Sequence, residues 1–148
     1  MIFLEKNWPN NLPGGVIHAD IFQDNVFFIK EKLTGLIDFY FACNDYYAYE
    51  LAICINAWCF DIKGTFNQKK YASMLEGYQS LQKLSSAELD NLPILLRGAA
   101  MRILLTRLHD QLYHPEEAYV TPKDPVEYFA ILKFHQANAV LDKEIHGN

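Results

Sequence analysis

The stretch HADIFQDN, residues 18–25, sets His18, Asp20, Asp24 and Asn25 directly behind the apolar pair Val16-Ile17. A further carboxylate, Asp38, follows the apolar run Gly35-Leu36-Ile37. Asp20 is a candidate general base, or an orienting group for a hydroxyl. Asn25 and Asp38 offer hard oxygen ligands of the kind Mg²⁺ takes beside phosphates. Phosphoryl transfer asks for this set: one carboxylate to position the attacking hydroxyl, and oxygen ligands to hold the cation on the nucleotide. A plainer reading uses the same residues. Asp and Asn are ordinary turn formers, and His18 could be a core histidine with its bonds satisfied. A metal site built on His18 and Asp20 alone is disfavoured, since no second His or Cys stands at a ligand spacing.

The elements around these residues must hold them in place. NWPNNLPGG reads as loop. NVFFI and GLIDF are short apolar runs separated by the polar KEKLT, which predicts a hairpin fixing Asp38 relative to Asn25. From Asp45 onward the period becomes helical. Ala48, Leu51, Ala52 and Ile55 share one face, and LAICINAWCF is apolar almost all round, as in a helix buried within a domain. Tyr71, Met74, Leu75 and Tyr78 repeat the pattern. Ser85 with Glu88 predicts a capping box on a short helical turn interrupted near Pro93. A longer helix should follow, with Ala100, Ile103, Leu104 and Leu108 inward. After a break at HPEEAYVTPK, Asp124 caps a last helix that has Pro125 in its first turn and Glu127 at its third position.

With 148 residues, 51% of them hydrophobic and 21% charged, the chain should fold as a single domain, residues 1–148, with a real core. A formal charge of −5 argues against a nucleic-acid footprint. No run approaches the roughly 20 apolar residues of a membrane span, and the opening MIFLEKNWPNNLPGG lacks the pattern of a signal peptide. Cys43, Cys54 and Cys59 make no disulfide framework; Cys54 and Cys59 read as small buried hydrophobes, and a reducing cytoplasm fits.

HADIFQDN followed by GLIDF resembles the catalytic loop and metal-binding segment of the aminoglycoside/choline phosphotransferase family, which has the protein-kinase-like fold. The pattern is H-x-D, four residues, N, and later I-D-[FW]. The longer collinear string GGVIHADIFQDNVFF, GLIDFYFACND, AICINAWCF, MLEGYQSL, RGAAMRILLTRLHD and VTPKDPVEYF is similar to the bacterial homoserine kinases within it. This resemblance implies an α+β, mostly α, C-terminal lobe, with a catalytic-loop hairpin on a helical bundle. It implies Asp20 as the catalytic aspartate, Asn25 and Asp38 as Mg²⁺ ligands, His18 as structural support, and transfer of the γ-phosphate of ATP to L-homoserine in threonine biosynthesis. Glu50 corresponds to an acid, commonly Asp, that supports the catalytic loop; its extra methylene changes its reach, and a first-turn acid favoured by the helix dipole is the plainer reading.

Gln23 stands where the family commonly has Pro, a change of loop stiffness rather than of chemistry. No stretch before His18 has room for the family's nucleotide lobe, so the expectation is the C-terminal lobe alone, inactive by itself and prone to self-associate through the uncovered face near Phe27, Phe28 and Phe39. An acceptor with an ammonium and a carboxylate needs an acid and a cationic donor. Arg102 and Arg107 are the candidates for the carboxylate, but about 140° of helical phase separates them, so at least one should do something else. Asp45 and Asn44 are candidates for the ammonium or for backbone contacts, the plainer and favoured reading of Asp45 being the cap of the helix that follows. Another small-molecule kinase of this fold, or a noncatalytic fragment, remains the alternative.

Overall fold

The structure, a computed structural model, describes residues 2–114 and 121–138. It begins with a short helix α1 (Ile2–Asn7) and strand β1 (Gly14–Ile17). The hairpin follows as β2 (Val26–Ile29) and β3 (Lys32–Leu36), and then β4 (Cys43–Tyr46). Four helices complete the chain: α2 (Tyr47–Trp58), α3 (Gln68–Leu81), α4 (Ser86–Leu112) and α5 (Val126–Ala137). Helices dominate, and the strands form two separate antiparallel pairs, β1 with β4 and β2 with β3.

The buried core lies between α2, α4 and α5. The apolar circumference expected of α2 is met by packing on every side: Ala48, Leu51, Ala52, Ile53 and Ile55 are all buried. They face Leu92, Leu95, Leu96, Ala99 and Ala100 of α4, the helix that also contacts α5 through Ile131, Leu132 and Tyr128. Tyr71 and Leu75 bury the inward face of α3, with Met74 and Tyr78 half-buried beside them. Where α1 leads into the loop, Trp8 sits so close to α4 that a Cβ on Gly98 would come within 2.2 Å of its ring.

Several expectations needed correction. Ser85 does form the capping box with Glu88, but the helix it starts is not a short turn. It continues through Pro93 for 27 residues. Proline costs the helix a hydrogen bond, yet Leu92, Leu95 and Leu96 are buried around it, and their packing offsets that cost. Leu108 is exposed, and the buried position on that turn belongs to Arg107. Asp45 is not the cap of α2. Tyr46 occupies that position, and the Asp45 carboxylate accepts from its N–H (2.7 Å), while the Tyr47 N–H donates to the Pro13 carbonyl (3.1 Å). At α5, Asp124 lies one residue further out than expected but does the capping chemistry, its Oδ1 accepting from the Val126 N–H at 2.8 Å. The break expected at HPEEAYVTPK falls largely on residues 115–120, outside the described residues.

The pairing of β1 with β4 has no local sequence signal. Val16 lies opposite Asn44 and Ile17 opposite Cys43, which ties the entry of the HADIFQDN loop to the entry of α2. Among the described residues no helix is long and apolar enough to cross a membrane. The three cysteines are unpaired; burial pushes the Cys54 thiol up to about 12 and that of Cys59 to about 11, as for inert hydrophobes.

Candidate active site

Strand β1 ends at the buried Ile17, and the chain then turns sharply through His18, Ala19 and Asp20. Ala19 sits at φ 62°, in the left-handed region that a non-glycine residue enters at a cost. Hydrogen bonds from three directions hold it there. Glu50, on the first turn of α2, accepts from the N–H of His18 (2.5 Å) and of Ala19 (2.9 Å) through one carboxylate oxygen. The extra methylene of Glu50 therefore still allows it to reach the loop. From the opposite side Arg102 of α4 donates through Nη2 to the Ala19 carbonyl. The Trp58 indole N–H donates to the Ile21 carbonyl at 2.9 Å.

His18 is buried and links the loop to the hairpin. The Asp20 N–H donates to its Nδ1 (3.2 Å), so Nδ1 must be the unprotonated nitrogen of a neutral ring. Its Nε2–H then donates to the Ile37 carbonyl at 2.9 Å. Both ring nitrogens are used, and both uses are structural.

Asn25 completes the join. Its Nδ2 donates to the Asp20 carbonyl (2.8 Å) and to Asp20 Oδ2 (3.0 Å). Its own carbonyl accepts from the Ile37 N–H at 3.1 Å. That bond extends the β2–β3 ladder one step past Val26 opposite Leu36, so Asp38 follows immediately, exposed and at φ 62°. The hairpin thus brings Asn25 and Asp38 to the same end. No hydrogen bond among the described residues uses Asn25 Oδ1, which leaves that oxygen free to ligate. Among those residues no cluster of three His, Cys, Asp or Glu side chains is placed to hold a metal. One carboxylate and one carboxamide suit a Mg²⁺ that draws its other ligands from phosphates and water.

Burial raises the Asp20 carboxyl above its ordinary value; Arg102, then the Asn25 hydrogen bond, pull against it, Asp38 adds to it, and His18 opposes. An aspartate made more basic in this way is a better proton acceptor.

The proposed substrate residues separate. Arg102 reaches the loop at the Ala19 carbonyl, one residue before Asp20. Arg107 is committed elsewhere: Nη1 donates to Glu127 Oε2 at 2.6 Å and to the Asp124 carbonyl at 3.0 Å, and the guanidinium lies over the Tyr128 ring, 4.5 Å from its centre. It lines an open cleft of about 560 Å³ with Gln23, Asp24 and Lys123. Asp45 lies in β4 opposite Gly15, and Asn44 opposite Val16. Sequence spacing gave no hint of Trp58 or of the grip of Arg102 on Ala19, because both bonds are made between elements distant in the chain.

A strained H-x-D loop is joined through an asparagine to a hairpin that ends in an aspartate, and both are seated on a helical bundle, an α+β, mostly helical fold. The chain belongs to the phosphotransferase enzyme family, which it matches over residues 2–84. It is 57% identical over 136 residues to a homoserine kinase of Parvibaculum lavamentivorans, covering 92% of this chain and 42% of that protein. Against the homoserine kinase of Rhizobium johnstonii the identity is 59% over 134 residues, 90% of this chain and 42% of the other. The homoserine kinase of Agrobacterium fabrum is 57% identical over 137 residues, 93% and 42%. The chain therefore spans less than half the length of the curated relatives it matches.

Proposed function

We propose that this chain supplies the acceptor- and metal-binding lobe of an ATP-dependent homoserine kinase. The observation that carries this reading is Asn25, whose side chain donates to Asp20 and whose backbone carbonyl accepts from the N–H of Ile37, the residue before Asp38. A base and two oxygen ligands are thereby held in fixed relation.

In this reading Asp20 orients the homoserine hydroxyl and takes its proton as the oxygen attacks the γ-phosphorus of ATP. The new O–P bond forms as the bond to the departing ADP breaks. Asn25 Oδ1 and Asp38 would hold Mg²⁺, which neutralises charge on the phosphates when bound. His18 and Glu50 keep Asp20 in position. Catalysis of this kind is mostly positioning, which is why the loop's strain is held by so many bonds. The product is O-phosphohomoserine, an intermediate on the way to threonine. The exposed apolar face of the hairpin would pack against the part of the kinase that carries the phosphate-gripping elements. The free cysteines support a reducing cytoplasm as the compartment.

The test is a chimera in which this chain replaces the matching stretch of the Parvibaculum lavamentivorans homoserine kinase. It should phosphorylate L-homoserine with a requirement for Mg²⁺. Asp20→Asn should lower kcat by roughly 10²–10⁴-fold and leave the KM for ATP nearly unchanged. Asp38→Asn should raise the Mg²⁺ and ATP requirements as well. Near-parental turnover in Asp20→Asn would overturn the assignment, and so would a chimera that phosphorylates choline, a sugar or an aminoglycoside in preference to homoserine.

A further inference from the structure

Among the described residues, the arginine that reaches the catalytic loop has no anion beside it. Arg107 is paired with Glu127, and Lys123 with Asp24. Arg97 caps the end of α5 through the His135 carbonyl (3.1 Å) and covers the Phe3 ring. Arg102 has no carboxylate within the 4.0 Å of an ion pair among the described residues. Only its Nη2 is engaged, by the neutral Ala19 carbonyl. Its Nε is buried without a hydrogen-bond partner. Its Nη1 has none either and is not sealed from solvent. The guanidinium carbon lies 6.0 Å from the centre of the exposed Phe41 ring, just past the turn that carries Asp38.

We propose that Arg102 is the anion anchor of the acceptor site, taking the carboxylate of a short hydroxy acid whose hydroxyl lies at Asp20. This rests on the homoserine reading above and names the residue that would make it specific. A half-buried guanidinium without a counterion is costly to keep, and a ligand carboxylate relieves that cost. The arginine fork suits two parallel hydrogen bonds to such a group. Arg102 reaches the loop at the Ala19 carbonyl, one residue before Asp20, yet makes no ion pair with the Asp20 carboxylate. A small molecule with a hydroxyl at one end and an anion at the other matches this pairing of a carboxylate with a guanidinium that has no counterion.

The experiment compares two acceptors in the chimera: L-homoserine, and L-homoserinamide, in which a neutral carboxamide replaces the carboxylate. The parental chimera should favour homoserine. Arg102→Gln should lower kcat/KM for homoserine by roughly 10²–10³-fold, chiefly through KM, while changing that for homoserinamide and the KM for ATP far less. Arg102→Lys, which keeps the charge but not the fork, should fall between the two and carries the comparison if Arg102→Gln folds poorly. Equal losses on both acceptors would reduce Arg102 to a support of the Ala19 turn and overturn the proposal. An unchanged preference in Arg102→Lys, or a loss seen only in the KM for ATP, would also overturn it. A parental chimera that ignores homoserine would instead sink the homoserine reading and this proposal with it, whereas discrimination that survives at Arg102 sinks the proposal alone.

Discussion

Glu50 carries more of the catalytic loop than its place at the start of a helix implies. One oxygen takes two loop N–H groups, while Oε1 is buried without a partner. Glu50→Ala would leave both donors unpaired, and each such group costs about 1–3 kcal/mol. Denaturant unfolding of Glu50→Ala should therefore show a loss of about 2 kcal/mol or more, with Glu50→Gln losing less because it keeps an acceptor oxygen. An unchanged midpoint in Glu50→Ala would show that the loop holds itself. His135 makes a second residue-level prediction. Burial, with Arg97 beside it, lowers its pKa from 6.5 to about 4. Its ring shares a buried hydrogen bond with Asn56 Oδ1 (2.7 Å), whose Nδ2 donates to the Leu96 carbonyl (2.9 Å), so the neutral ring donates through Nε2. The unfolded chain takes up a proton near pH 6.5 and the folded one resists until about pH 4. Stability is therefore full above pH 6.5, falls through that window by about 3 kcal/mol, and levels below it. Urea melts across this range should show the slope, and His135→Gln should flatten it.

At the scale of elements, α4 is the spine that α1, α2 and α5 pack against, and two of its residues run against local preference. Pro93 should break it and Gly98 should loosen it. Burial on both sides outweighs the first. Close approach explains the second: the Trp8 ring occupies the space a Cβ would need. Gly98→Ala should thus destabilise by about 1–3 kcal/mol through overpacking, although alanine favours a helix by roughly 1 kcal/mol over glycine. Pairing it with Trp8→Ala should restore the alanine's advantage. A stabilising Gly98→Ala in the parental background would contradict the packing described. The same logic applies to β1 and β4, where strand pairing positions the loop only because α2 begins directly afterwards.

For the whole molecule, the hairpin stands out from the bundle and is apolar where it is exposed. Phe27 and Phe28 are 51% and 53% exposed, and Ile29, Leu33, Ile37, Phe39 and Tyr40 lie open beside them. Large apolar side chains left open in this number on one element mark an interaction surface. The 148-residue chain alone should self-associate through it, and sedimentation velocity should show a concentration-dependent species larger than a monomer. Phe27→Ser with Ile29→Ser should return the chain to a monomer. A clean monomer in the parental chain at high concentration would count against the surface being used.

The existence of the hairpin, the buried α2 and the period of α3 could be read directly from sequence, because period-2 and period-3.6 patterns depend on near neighbours; the turn of the hairpin comes earlier than expected, since the second strand is Lys32–Leu36 and most of KEKLT is paired and not connecting. Asp20, Asn25 and Asp38 were legible as a set for a related reason, since the turn residues and the hairpin that relate them are local. The unbroken run of α4 through Pro93, the burial of Arg107 in place of Leu108, and the pairing of β1 with β4 were not. Each is decided by what packs against the segment. The two arginines show the division most sharply. Their helical phase said that they could not easily share a ligand, but only the positions of Ala19 and Glu127, brought up from distant parts of the chain, decided that Arg102 reaches the HADIFQDN loop and Arg107 the start of α5.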